Sequence, residues 1–305
     1  MDYKKILKSR KLRLQLLRLL SFIPDKTMLQ IQYKIKTGRK LNLKNPQRLT
    51  EKQQWYKLYY KDPLMIPCVD KYDVRAYVES KGLGDTLIQC YGVFDRPEDI
   101  DFAKLPQRFV LKDTLGGGGN SVIIVSDKDT MDKDAVIAQM EGWVKQPHRV
   151  RDGGREWPYY SGKKHRIIAE EFLEAEDPAL GLVDFKTFCF QGRMEYVYAM
   201  CDRGNGPVKV GIYDRDYQKR PVLSLGHDDV YDRIRKPQNY EQLIAVAETL
   251  AKDFPHVRVD LYNNCGKVYF GELTFYGGSG YDIYDPDSFD FEIGSKFILP
   301  AARKK

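Results

Sequence analysis

Residues 257–280 read VRVDLYNNCGKVYFGELTFYGGSG. Val257, Val259 and Leu261 alternate with Arg258, Asp260 and Tyr262, the period of a strand with one face buried. Asn263, Asn264 and Gly266 supply turn chemistry, and residues 268–275 return as a second strand. With a loop at 263–267, Arg258 is expected opposite Glu272 and Asp260 opposite Phe270. Arg258, Asp260, Glu272 and Thr274 then share one face, with the two carboxylates on a diagonal roughly 7–8 Å apart at the backbone. Carboxylates at that reach can hold a hard cation such as Mg²⁺. The second strand runs into Gly277, Gly278, Ser279 and Gly280, where backbone can approach a ligand closely. Alone, the pattern describes equally a surface hairpin with an Arg–Glu pair, so its meaning depends on the residues upstream.

The chain has 305 residues, 42% apolar and 30% charged, enough for two or three subdomains. No apolar run approaches the roughly 18–20 residues of a membrane span. The five cysteines (68, 90, 189, 201, 265) form no CxxC, and there are only four histidines, which argues against zinc or a histidine-based triad. This scattered, odd set without a signal peptide is expected of reduced thiols in a cytoplasmic protein. The net charge of +7 is uneven: residues 1–44 carry 13 Lys/Arg and 2 Asp/Glu, or +11, leaving −4 for the rest.

That basic segment includes residues 4–23, KKILKSRKLRLQLLRLLSFI. Leu12, Leu16, Leu19, Leu20 and Ile23 follow helical spacing, with Lys5, Lys8, Arg10, Lys11 and Arg13 left polar. Such a helix can lie on an anionic membrane, or pack on its own domain with a solvated basic face. Nucleic acid fits less well, because no aromatics interleave the charges and no nucleic-acid module follows. Pro24 ends this helix, and residues 28–37 suggest another. Thr50 with Glu51, Lys52 and Gln53 fits a capping box, with Trp55, Leu58 and Tyr59 as the apolar stripe. Residues 69–82 suggest a helix closed by Gly82, followed by a strand at 86–93.

Next comes LPQRFVLKDTLGGGGNSVIIV, with strands expected at 109–112 and 121–125. Gly116, Gly117, Gly118 and Gly119 form the loop between them. Such a loop can fold over phosphates and donate backbone N–H groups, and Lys112 can reach the same phosphates. It is neither a Walker A nor a Rossmann fingerprint, since no GK[ST] and no helix follow; taken alone it is a flexible hairpin. Residues 147–165 read as a long basic loop of a kind that often carries binding residues. A strand at 167–172 leads through Glu170, Glu171, Phe172 and Leu173 into a turn. Residues 183–200 form a hairpin turning at Gln191-Gly192, 208–225 hold a strand pair, and 239–254 form a helix.

In this order the pieces resemble the ATP-grasp superfamily: Asp70-Lys71, then Lys112 with its glycine loop, then Glu170 to Leu173, then Arg258-Val-Asp260 and Glu272-Leu-Thr274. Among its branches the chain looks most like the TupA-like proteins of bacterial surface-polysaccharide loci, through LNLKNPQRLTEKQQWYKLYYKDPL, REWPYYSGKKHRIIAEEFLE, DFKTFCFQGR and the opening hairpin. The resemblance implies an α+β fold, two lobes whose antiparallel sheets clasp ATP, preceded by a helical N-terminal region. Residues 1–66 would be that basic helical region, 67–108 a linker, 109–172 the small lobe with its lid, and 173–305 the large lobe with the metal site.

By the same resemblance, Lys71 and Lys112 contact the ATP phosphates, Glu170, Glu171, Phe172 and Leu173 form the adenine hinge, and Asp184 binds ribose. Asp260 and Glu272 are the Mg²⁺ ligands, Arg258 steadies the transferred phosphoryl, and Gly278 offers its N–H to an oxyanion. Thr274 replaces the family's usual asparagine as third metal ligand and coordinates more weakly. The N-terminal region is too short for the Rossmann-like domain of the D-alanine ligase branch.

The implied reaction is carboxylate–amine ligation through an acyl phosphate. Positioning and charge neutralisation do most of the work in phosphoryl transfer, and no protein nucleophile is needed. The expected acid is a uronic-acid carboxyl of a saccharide, and the expected amine an amino acid or amino sugar. Arg151, Arg155, Lys163, Arg203, Lys209 and Ser279 are candidates for holding substrate, although each cation reads equally as solvated surface charge. The enzyme is expected in the cytoplasm or at the inner face of the membrane, and nothing in the sequence specifies an oligomer. Competing readings are a nucleotide-sugar glycosyltransferase, for which Asp285-Pro-Asp287 has DxD spacing but lies in a polar C-terminal loop, a sugar kinase on the same scaffold, and a non-catalytic nucleotide-binding partner.

Overall fold

The computed structural model describes residues 17, 19–117, 121–146, 153–201, 208–229 and 234–303. Most of the expected basic helix at 4–23 therefore lies outside the described residues. The first described helix of length is α1 (Asp25–Thr37). It ends where Gly38 turns left-handed and gives its N–H to the Lys34 carbonyl at 3.0 Å. Its buried residues, Met28, Leu29, Gln32 and Tyr33, lie on one helical stripe.

Helix α2 (Leu49–Tyr59) is capped at Arg48 and so starts two residues earlier than a capping box at Thr50 suggests. Glu51 does cap, its Oε2 accepting from the N–H groups of Gln47 (2.9 Å) and Arg48 (3.3 Å). Thr50 is used differently. Its N–H and hydroxyl both go to the Asp290 carboxylate, at 3.1 and 2.7 Å, which ties α2 to the last helix of the chain. Two short helices follow, α3 (Met65–Cys68) and α4 (Val74–Ser80).

The small sheet comprises β1 (Cys90–Phe94), β2 (Phe109–Asp113), β3 (Val122–Val125) and β4 (Ile167–Glu171), in the antiparallel order β1-β4-β2-β3. One face is covered by α5 (Lys133–Val144): Phe109, Leu111, Ile167 and Ala169 pack against Met140 and Trp143. Each large apolar side chain fully buried there contributes roughly 1.5–3 kcal/mol. The β1 strand begins later than residue 86 and belongs to this sheet through β4, so residues 90–94 extend the small sheet upstream.

Residues 172–183 cross to the large sheet. It contains β5 (Asp184–Phe190), β6 (Arg193–Cys201), β7 (Lys209–Asp214), β9 (Asp228–Asp229), β10 (His256–Asn264) and β11 (Lys267–Thr274), in the order β11-β10-β5-β6-β7-β9, with only β7 and β9 parallel. The strand pair expected at 208–225 is reduced to β7 and a short antiparallel return, Tyr213 opposite Lys219, while β8 (Leu223–Ser224) pairs with β12 (Tyr284–Asp285). Helix α6 (Tyr240–Ala251) buries Leu243, Ala247 and Leu250 in the core shared with Val257, Val259 and Leu261. The alternate residues of β10 face the other way, toward the small sheet. Helix α7 (Ser288–Lys296) closes the chain against α2.

Candidate active site

Two sequence-predicted features meet in one cleft between the sheets. It has a volume of about 440 Å³. Lys71, Lys112, Gly116 and Gly117 line it from the small-sheet side, and Asp184, Arg258, Asp260, Glu272 and Thr274 from the large sheet. Gly118 and Gly119 lie outside the described residues.

The hairpin reaches this arrangement by a different register from the one its sequence suggests. Its turn is only Cys265-Gly266, both with positive φ (51° and 71°), and Asn264 pairs with Lys267. An unbroken ladder from that turn would set Asp260 against Gly271 and send Glu272 to the opposite face. A bulge prevents this. Leu261 pairs with Phe270 and Asp260 with Glu272, so Gly271 is the extra residue. Asp260 and Glu272 are therefore direct neighbours, with Arg258 beside Thr274, and all four share the cleft face. A Cβ on Gly271 would lie 3.0 Å from the Asp260 carbonyl oxygen, which explains glycine at the bulge.

Asp260 is buried between two cations. Arg258 donates Nε and Nη2 to its two oxygens at 2.7 and 2.8 Å, and Lys186 bonds the same carboxylate from β5. Burial pushes the Asp260 carboxyl up, but Arg258 and Lys186 outweigh it and leave it below its ordinary value. Burial likewise favours neutral Arg258, and Asp260 with Glu272 reverses that, so the guanidinium is held charged. Arg258 also donates to the Thr274 hydroxyl at 3.1 Å. Lys186 reaches Asp184 as well, at 2.8 Å. The sequence signal for Lys186 was the period-2 placement of Asp184 and Lys186 in DFKTF, on the face that meets Asp260.

On the small-sheet side, Lys112 pairs with Glu170 at 2.7 Å. Burial lowers its pKa, yet the Glu170 carboxylate raises it further, and the ammonium stays protonated. Lys71 donates to the Gly116 carbonyl and lies 3.6 Å from Glu272, joining the glycine loop to the hairpin. Glu170 and Glu171 end β4 where the chain leaves for the large sheet, and Phe172 packs under Arg108 at 4.8 Å. Glu170, Glu171, Phe172 and Leu173 thus form the connection between the sheets but do not line the described cleft.

Gly278 sits in the cleft wall with φ +54°, and a Cβ there would lie 1.9 Å from an Asp282 oxygen. Ser279 lines the cleft beside it. Three expected substrate cations do not. Arg155 is buried and donates to the carbonyls of Leu20 (3.1 Å) and Ser21 (3.4 Å), fastening the N-terminal segment. Lys163 is ion-paired with Asp73. Lys209 lies on β7, two strands beyond β5. Arg151 and Arg203 lie outside the described residues.

Among the described residues no group of three or more His, Cys, Asp or Glu side chains is placed to hold a metal ion. The facing carboxylates of Asp260 and Glu272, with the Thr274 hydroxyl 3.4 Å from Glu272, are nevertheless the hard oxygen donors that suit Mg²⁺.

The family model described as TupA-like ATPgrasp matches residues 51–298. No curated protein matches the sequence. Among solved structures, a D-alanine–D-alanine ligase from Bacillus anthracis is 16% identical with a TM-score of 0.44, over 69% of this chain and 59% of that one. An L-amino acid ligase from Bacillus licheniformis is 15% identical with a TM-score of 0.44, over 90% of this chain and 57% of the other. A D-alanine–D-alanine ligase from Helicobacter pylori is 14% identical with a TM-score of 0.43, over 76% and 61%. The chain thus spans less than two thirds of the length of these structures.

Proposed function

The chain belongs to the TupA-like ATP-grasp family, and from that premise we propose that it is an ATP-dependent carboxylate–amine ligase working through an acyl phosphate. One observation carries the proposal: a single cleft joins the lysines and glycine loop of one sheet to Arg258, Asp260, Glu272 and Thr274 of the other. In this reading Lys71, Lys112 and the N–H groups of Gly116 and Gly117 hold the ATP phosphates, and the glycine loop keeps water from the intermediate. Residues 170–173 hold adenine and Asp184 the ribose. Arg258 neutralises the phosphoryl group as it moves to the carboxylate, and Gly278 offers its N–H to the developing oxyanion.

Asp260, Glu272 and Thr274 would hold Mg²⁺, which when bound supplies further neutralisation of phosphate charge. Lys186 and Arg258 bond Asp260 in the structure described here. Phosphates in the cleft would offer both cations a second anion, leaving the Asp260 oxygens able to hold the ion.

The substrates are the finer part of the proposal. The family resemblance favours a uronic-acid carboxyl of a cell-surface saccharide as the acid, and an amino acid or amino sugar as the amine. The +11 charge of residues 1–44 and the exposed Leu19, Phe22, Ile31 and Ile35 support a cytoplasmic enzyme resting against an anionic membrane. No described helix is long and apolar enough to cross one.

The test is product analysis with ATP, Mg²⁺, a panel of uronic acids and mixed amines. A ligase releases ADP and phosphate only when acid and amine are both present. ADP with a phosphorylated sugar and no phosphate would instead identify a kinase, and UDP released from a UDP-sugar a glycosyltransferase.

A further inference from the structure

The carboxylates of Asp184, Asp260, Glu170 and Glu272 all sit among the cations that suit phosphate. Glu156 also lines the cleft but belongs to a different group of residues. It comes from a loop that is fastened residue by residue. Gln32 donates to the Gly153 carbonyl at 2.8 Å, Lys57 donates to that of Gly154 at 3.0 Å, and Arg155 grips Leu20 and Ser21. Glu156 then bonds the Ser279 hydroxyl, next to Gly278. The same Lys57, itself buried, donates to the Ser279 carbonyl at 2.8 Å and lies 3.5 Å from the Glu156 carboxylate. A single ammonium therefore fixes the distance between the 153–156 loop and the 278–279 turn.

Lys57 offsets part of the Glu156 charge but also donates to the Gly154 and Ser279 carbonyls, so this carboxylate on the cleft wall still disfavours phosphate and favours an incoming cation. The cationic reactant of a ligase is the protonated amine. We propose that Glu156 is the ammonium-binding residue of the acceptor site and the base that frees the nucleophile, with Ser279 and Tyr159 forming the adjoining wall; this rests on the ligase reading above.

In the step, the ammonium gives one proton to Glu156 and its nitrogen lone pair forms a bond to the carbonyl carbon of the acyl phosphate. The carbon–oxygen bond to phosphate breaks, and phosphate leaves with that electron pair and takes the second proton from nitrogen. Glu156 returns its proton to solvent.

The test pairs two nucleophiles on the full chain with ATP, Mg²⁺ and uronic-acid oligosaccharides. Hydroxylamine is largely uncharged at neutral pH and traps acyl phosphates as hydroxamates; glycine and glucosamine arrive as ammonium ions. Glu156→Gln should keep hydroxamate formation but lose about 100-fold in kcat/KM for the ammonium nucleophiles, regaining part of it as pH rises toward the pKa of the amine. Glu156→Asp, which keeps the charge beside Lys57, should show the same split with a smaller loss, and serves if the glutamine variant does not fold. Hydroxamate and amide falling together, or neither falling, would overturn the inference alone. No hydroxamate from the unmodified protein with any acid would remove the ligase reading, and this inference with it.

Discussion

Lys186 on β5 and Asp260 on β10 are direct cross-strand partners, and the lysine ammonium bonds the aspartate carboxylate. The residue proposed to hold Mg²⁺ is therefore already neutralised by Lys186 and Arg258. This gives Asp260 two roles, one in stability and one in chemistry, which substitution can separate. Asp260→Asn leaves two buried cations undercompensated and should cost about 3–5 kcal/mol, read as a lower urea midpoint. Adding Lys186→Gln should recover part of that stability without restoring turnover. An Asp260→Asn protein as stable as the parent would contradict the buried placement.

Gly271 sets which face Glu272 occupies. Gly271→Val would force a Cβ against the Asp260 carbonyl oxygen, 3.0 Å away and part of the backbone. The cost should be about 1–3 kcal/mol, with a loss of nucleotide-dependent activity larger than the stability change explains. Thermal unfolding and ATP turnover on one sample check this; unchanged activity would argue against the bulge.

The expected substrate role of Arg155 becomes a structural one. Its guanidinium is buried on the carbonyls of Leu20 and Ser21 and lies 3.5 Å from Asp25. Arg155→Ala should lower the melting temperature by releasing the N-terminal segment and expose it to proteolysis. A variant with intact stability and a raised KM for the acid would restore the substrate assignment.

His256 makes stability depend on pH. It stacks on Phe190 at 4.6 Å, meets Gln53 at Nε2 and the Cys189 carbonyl at Nδ1, and is held neutral, with a pKa of about 4. Burial is the main cause, and the nearby Arg258 charge adds to it. The unfolded chain binds a proton here below about pH 6.5 while the native chain does not. The stability is therefore complete above that pH and is lost as pH falls toward 4, amounting to about 3 kcal/mol. Asp290, raised by burial to about 6, tilts the opposite way in an overlapping range. The difference between parent and His256→Gln isolates the histidine: the gap should narrow from pH 7 to pH 4, and a constant gap would contradict the assignment.

The sequence made the chemistry of the hairpin legible because Arg, Asp, Glu and Thr alternate with buried aliphatics. The register was not, since one bulged glycine reverses the parity of everything beyond it. Lys186 was not singled out: its spacing from Asp184 puts the two on one face, but its partner is fixed only by the pairing of β5 with β10. Thr50 reads as a cap, and its actual role was hidden for a related reason: its partner Asp290 stands 240 residues away in the chain. Loop cations such as Arg155 and Lys163 read as solvent-facing until their tertiary partners, Asp25 and Asp73, are in place.

The most direct test of the acyl-phosphate account is isotope transfer. The acid substrate is labelled with ¹⁸O in its carboxylate and turned over with ATP, Mg²⁺ and the amine, and the released phosphate is analysed by mass spectrometry. The account predicts one ¹⁸O in each phosphate, carried from the carboxylate when the amine displaces it. Amide formed with unlabelled phosphate would contradict the account.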